Sequence, residues 1–353
     1  MGSEIQAVDL RPYAPRGLLG NRHVQSLLTS GPIRKRRVQR QSAAYLARSQ
    51  REIIEAADGT RLLGFLNRAP EHRRDALVIL LHGWEGSSES NYLLAAATAL
   101  DRAGFDTFRL NFRDHGESHH LNPGLFHSCR LLEVVDAVGQ VRRAHADQAV
   151  FLVGFSLGGN FSLRVARSAP EHGYGLDHVI AVSPVIRPRH VLDALEDGLM
   201  IYHLYFVRKW RKSLQLKQSL YPNRYALDEW FALKGLREQT DWLVRHLTEF
   251  PDLESYLEGY SVAGDYLADL SVPTRIITAA DDPIIPIQDF HALPRPQALE
   301  IEVHERGGHC GFIENWRLDS WIEHRIISEL DRVLDSRGPF PGAARPEKAD
   351  SSG

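Results

Sequence analysis

The sequence predicts an α/β protein: a mostly parallel central sheet with helices on both faces and a helical segment inserted before the last strands. Three observations carry this. From Ala76 onward, short apolar runs alternate with longer stretches of helical periodicity, the pattern of repeated strand–helix units. One such unit, Ala149 to Ala169, passes from strand to helix through Gly154-Phe155-Ser156-Leu157-Gly158. The alternation then halts at Pro184 and resumes at Thr274, a gap far beyond an ordinary connecting loop.

In chain order, residues 1–50 read as an N-terminal arm. From Val8 to about Gln50 it is rich in Arg and Pro, which suggests an extended segment laid on the main domain, and Arg34-Lys35-Arg36-Arg37 reads as a solvated basic face. Two strand-like runs flank Asp58-Gly59, a hairpin signal. The core follows as residues 51–184 and 271–337. Its expected strands are Ala76–Leu81, Phe105–Leu110, Val150–Val153, His178–Val182, Thr274–Ala279 and Leu299–Val303. Helices are expected over Tyr92–Ala103, closed by Gly104, over Cys129–Ala144, after Ser156, and from about Trp316 to Leu334. Residues 185–270 read as a cap built of helices only. The tail, 338–353, is rich in Pro, Gly and Ser, and disorder is expected there.

Composition excludes several classes. With 353 residues, 43% hydrophobic and 25% charged, the chain can bury a sizeable core. A net charge of −3 argues against nucleic acid as the main partner. Two cysteines, Cys129 and Cys310, make no disulfide framework and suit a reducing cytoplasm. No run approaches the ~20 apolar residues of a membrane span, and no signal peptide is visible at the N-terminus. A cytoplasmic location is therefore expected.

The chemistry centres on Ser156. A serine on a tight strand-to-helix turn is held in strained backbone angles, with glycines beside it where side chains would clash. A serine hydroxyl is a poor nucleophile until a base takes its proton, and a carboxylate must hold that base in one tautomer. The strand ending at Ala279 leads into Ala280-Asp281-Asp282-Pro283, and the next into Arg306-Gly307-Gly308-His309. Both loops follow strand C-termini, where open α/β sheets place their sites. Asp282 is assigned as the orienting acid, with Asp281 as the alternative, and His309 as general base. The strand Ala76–Leu81 ends in His82-Gly83-Trp84-Glu85-Gly86. The backbone amides of Trp84 and Leu157 are the expected oxyanion donors, with His82 bracing the loop.

Three further features need a reading. In Asn111-Phe112-Arg113-Asp114, the Arg and Asp are expected to form a structural ion pair with loop amides. The loop histidines His115, His119, His120 and His127 lack ligand spacing, so no metal is expected. In the cap, Leu199–Val207 is apolar, and Gly198 to Leu227 carries six basic residues and no acidic one. The segment reads as a lid helix over the pocket with its basic end in solvent; weak contact with a membrane surface is the alternative. Tyr202, Tyr205, Phe206 and Trp210 are the candidate pocket walls.

With these residues in place, the chain resembles the YheT-type (AB-hydrolase-4) branch of the α/β-hydrolase superfamily. The likeness spans about Pro12 to Leu334. It rests on Asn21-Arg22-His23-Val24-Gln25-Ser26-Leu27, His82–Ser90, Asn111–Ser118, Gly154–Asn160, the Asp281-Asp282-Pro283 turn and Arg306–Ile313. It departs from that branch at Arg22, where the family has Pro, and at Asp114-His115. The resemblance implies a Ser156–Asp282–His309 triad and hydrolysis of carboxylic esters, with a small-molecule or lipid ester as substrate and no cofactor. A lipase, thioesterase or acyltransferase using the same residues is the nearest alternative. A non-catalytic protein that keeps the fold for ligand binding is the alternative from another class.

Overall fold

A computed structural model describes residues 12–70 and 74–337. The start of the arm and the whole 338–353 tail lie outside them. Eight strands form one sheet: β1 (Gln50–Glu55), β2 (Arg61–Asn67), β3 (Ala76–Leu81), β4 (Asp106–Leu110), β5 (Ala149–Phe155), β6 (His178–Val182), β7 (Thr274–Ala279) and β8 (Leu299–His304). Their order is β1-β2-β4-β3-β5-β6-β7-β8. β3 to β8 pair in parallel, while β1 and β2 form an antiparallel hairpin joined antiparallel to β4.

Parallel strands inside a sheet are buried on both faces, which explains the continuous apolar runs of β3, β5 and β6; β8, at the edge, is only partly buried. All six residues of β3 are buried. Leu77, Ile79 and Leu81 pack on one face with Val134, Val138 and Phe161. Val78 and Leu80 pack on the other with Leu93, Ala97 and Ile326. Each large side chain buried this way contributes about 1.5–3 kcal/mol. The first layer comes from helices Leu131–Ala144 and Leu157–Ser168, the second from Asn91–Ala103 and Trp321–Arg337. Gly104 ends Asn91–Ala103 with φ +93°, a left-handed cap that glycine adopts without strain.

From β3 the chain runs outward to β4 and returns as β5 on the other side of β3. That reversal opens a crevice beyond the strand ends. Between β6 and β7 lie helices Pro188–Asp197, Met200–Leu220, Asp228–Ala232, Leu236–Leu247 and Leu253–Glu258, with no strand among them.

Three expectations are corrected. The arm is helical rather than extended, with helices Arg22–Ser30 and Pro32–Gln41. Asn21 caps the first by accepting the amides of His23 and Val24, and Pro32 sits in the first turn of the second. Its basic run is only partly solvated: Arg34 is buried against Glu323 at 2.8 Å and Arg37 pairs with Asp319. The last helix begins at Trp321, not Trp316. Trp316 stands exposed in a loop closed by an Ile313–Ser320 bridge and by the Asn315 amide donating to Asp319 at 3.0 Å.

Candidate active site

Ser156 sits between β5 and helix Leu157–Ser168 with φ +55° and ψ −118°. For a non-glycine residue this conformation is strained, and tight packing holds it. A Cβ at Gly154 would run into the carbonyl of Gly158, and one at Gly158 into those of Leu81 and His82. Only glycines let strand, turn and helix approach so closely. Leu157 opens the helix, so its amide has no intrahelical partner and faces outward with the positive end of the helix dipole.

His309 reaches this turn from the loop after β8. Its Nε2 lies 2.9 Å from Ser156 Oγ and its Nδ1 2.8 Å from Asp282 Oδ2. With Nδ1–H donating to the carboxylate, Nε2 is left to accept the serine proton. Asp282 is fixed in turn: its Oδ1 accepts the amides of Ile284 at 2.8 Å and Ile285 at 3.0 Å. Its side chain is fully buried. Burial works against a charged His309, yet the adjoining Asp282 carboxylate raises the imidazole well above its ordinary 6.5. Asp281 points elsewhere, accepting the Gly308 amide at 2.9 Å. It anchors the histidine loop instead of the histidine ring.

The loop after β3 is braced from several sides. His82 is fully buried, and burial lowers it to about 4, so the ring is neutral. Its Nδ1 donates to the Gly83 carbonyl at 2.8 Å and its Nε2 accepts the Phe112 amide at 3.2 Å. The Gly83 amide donates to the Tyr92 hydroxyl at 2.8 Å. No hydrogen bond to the Trp84 amide is present among the described residues. Beyond it, the Glu85 amide donates to His115 Nε2 at 3.2 Å, and Lys209 of helix Met200–Leu220 donates to the Glu85 carbonyl at 2.9 Å. The Trp84 ring stacks on Phe206, 5.1 Å between centroids, and meets Trp210 edge-on.

Two chambers meet at Ser156. The first lies under the cap, holds about 910 Å³ with its mouth included, and is lined by Val185, Leu192, Leu195 and Leu243. The second, about 1240 Å³ with its mouth included, runs between the arm and helix Met200–Leu220 past Ser26, Leu27, Pro32, Ile201 and Lys209. Trp84, Phe206, Ile284 and His309 border both. Of the four aromatic residues expected to wall a pocket, Trp210 lines the first chamber, Tyr202 and Tyr205 the second, and Phe206 both.

Arg113 and Asp114 do not pair with one another. Arg113 meets Glu133 at 2.6 Å, while Asp114 accepts from Lys217 of the lid helix at 2.6 Å and from the Phe126 amide. Lys217 is wholly buried and also donates to the carbonyls of His119, Asn122 and Gly124. Asp114 itself has a positive φ, +58°. Among the loop histidines, His115 braces the Glu85 amide and His119 Nε2 contacts Ser213 Oγ at 2.8 Å. Among the described residues no group of three or more His, Cys, Asp or Glu could hold a metal ion.

Sequence reasoning missed the arm's part in the site. Gln25 clamps Ile313 in both directions, accepting its amide at 2.7 Å and donating to its carbonyl at 3.0 Å. Ser26 Oγ accepts the His309 amide at 2.9 Å. The only signal was the Asn21–Leu27 segment, which carried the resemblance without showing what it does.

A family model for the alpha/beta hydrolase fold matches residues 76–315. The chain belongs to that family. It is similar to YheT of Escherichia coli (strain K12), whose name provisionally calls it an esterase: 26% identity over 343 residues, 92% of this chain and 94% of that protein. Monoacylglycerol lipase ABHD2 of Danio rerio is 24% identical over 284 residues, 73% of this chain and 66% of its own length. Among solved structures, the Pyrobaculum calidifontis esterase superposes with a TM-score of 0.54 at 14% identity, covering 86% of this chain and 91% of that one. At that identity it speaks for the fold alone. The match to YheT takes in 92% of the chain, so it spans the arm, the core and the inserted helices alike.

Proposed function

We propose that this α/β hydrolase is a serine esterase that cleaves carboxylic esters through an acyl-enzyme on Ser156. The observation that carries the reading is the His309 ring, within hydrogen-bond reach of Ser156 on one side and Asp282 on the other. Ser156 Oγ attacks the ester carbonyl as His309 Nε2 takes its proton, and Asp282 stabilises the imidazolium that results. The Trp84 and Leu157 amides hold the oxyanion. His309 then protonates the leaving alcohol, and water repeats the sequence on the acyl-enzyme. No step calls for a cofactor. Two chambers meeting at the nucleophile suit an ester with two arms, one on each side of the carbonyl.

A lipase reading is favoured by one observation: the lining of both chambers is rich in apolar side chains, which suits long-chain esters. A thioesterase or acyltransferase would use the same residues, the latter by excluding water from the acyl-enzyme. The test is labelling with a fluorophosphonate probe alongside turnover of p-nitrophenyl esters from acetate to palmitate. Wild-type protein should label and turn over; Ser156→Ala should not label and should lose at least about 10⁴-fold in kcat. Folded wild-type protein that neither labels nor turns over any ester would instead be a ligand-binding module.

A further inference from the structure

The lid helix Met200–Leu220 turns apolar side chains to solvent. A capping helix ordinarily buries its apolar stripe and shows charge outside. Trp210 and Leu214 do face inward and are buried, yet Met200 is 67% exposed, Leu204 is 58% exposed, and Ile201 and Tyr205 are also exposed. Helical spacing places these four on one outward stripe that Arg208 and Lys212 continue, both of them exposed. Leu216 and Leu220 close it. A contiguous apolar surface of this kind marks an interaction site, unlike single exposed residues.

The stripe borders the second chamber. Ile201 and Tyr205 from the lid, with Leu27 and Pro32 from the arm, frame an opening whose floor includes Ser156 and His309. Ile33, the next arm residue, is 72% exposed. Charge follows the same geography. Pro12 to Gln50 carries eight basic residues and no acidic one, in a chain of net charge −3. Lys35, Arg36 and Arg40 of this arm are exposed, while Arg34 and Arg37 turn inward.

We propose that this face docks on an anionic phospholipid surface. The outward apolar side chains of lid and arm enter the boundary between headgroups and acyl chains, and the surrounding Lys and Arg side chains meet the phosphates. An ester held in the bilayer then reaches Ser156 through the second chamber. This access route rests on the esterase reading; the docking does not. A polyanion such as nucleic acid would be served by the cations alone and leaves the exposed Met, Ile and Leu unexplained. Among the described residues no helix is long and apolar enough to cross a membrane, so the attachment is to the surface.

The test uses full-length Ser156→Ala protein co-sedimented with phosphatidylcholine vesicles, with and without phosphatidylglycerol. Binding should require the anionic lipid, weaken with salt, and fall about 10-fold in a Met200→Asp/Leu204→Asp variant of unchanged circular dichroism. With Ser156 intact, that double variant should keep wild-type turnover of a soluble short-chain ester and lose about 10-fold on the same acyl group presented in anionic vesicles. Absence of vesicle binding overturns the docking. So does binding that salt abolishes but the two aspartates leave unchanged, which marks a plain anion-binding surface. Vesicle binding without turnover of any ester overturns the access route and the esterase reading while the docking stands.

Discussion

The hydroxyl of Ser26 accepts a hydrogen bond from the backbone amide of His309, 2.9 Å away and 283 positions along the chain. The same hydroxyl donates to the Arg22 carbonyl at 2.8 Å, so its proton is committed and its lone pairs face the histidine loop. On the proposed esterase reading His309 is the general base, which works only if it is held at the correct distance and angle, and an arm outside the α/β core holds its loop. Ser26→Ala should lower kcat on p-nitrophenyl butyrate about 10-fold with little change in KM, and Ser26→Thr should restore most of it. Equal loss in both variants would mean that the hydroxyl matters only for packing.

The Asp282 carboxylate favours the charged form of His309 and raises the imidazole above 6.5. Attack on the ester needs the neutral ring, so kcat/KM should rise with pH through an ionisation lying above that value. In Asp282→Asn the favouring charge is gone. The acid limb should then move to lower pH even as the plateau falls by about 10⁴-fold. A limb that stays in place would assign the ionisation to another group.

On the far side of the sheet, Glu329 is buried among basic side chains, with Arg275 at 2.9 Å, Arg325 at 3.0 Å and Arg332 at 2.5 Å, and His178 lies 3.2 Å away. Burial alone would raise its carboxyl, but hydrogen bonds from these neighbours and the charge of Arg275 hold it well below the ordinary 4.5. Nearby Glu302 is likewise brought to about 2, against its burial, by His304 and Arg325. Depressed carboxyls stabilise the fold fully above 4.5, and that stability is lost as pH falls toward the folded values. Glu329→Gln should therefore cost about 3–5 kcal/mol in denaturant unfolding at neutral pH and flatten the loss of stability between 4.5 and about 2. Unfolding curves that overlay wild type at pH 7 would remove the role given to this cluster.

Much of the site was legible because its chemistry is punctuated locally. Ser156 lies between two glycines, Asp282 follows the buried strand β7, and His309 lies in the loop after the edge strand β8, so strand ends plus spacing were enough to single them out. The sequence offered Asp282 with Asp281 as the alternative; in the structure the Asp282 carboxylate meets the His309 ring and the Asp281 carboxylate the Gly308 amide. The pairing of Arg113 and Asp114 was misread for a related reason. Neighbours in sequence look like partners, but their buried charges went to Glu133 and Lys217, groups brought in by other elements.

The sequence by itself determined the parallel strands, the sharp turn at Ser156 and the run of helices between β6 and β7, because hydrophobic period and glycine placement act over a few residues. Only the tertiary structure decided that the arm is helical and grips the His309 loop, that Lys209 and Lys217 tie the lid to the loops beneath it, and that a second chamber opens between arm and lid. Those outcomes depend on contacts between segments far apart in the chain. Such contacts are fixed by packing and by the need to pair buried polar groups, and neither leaves a local signature.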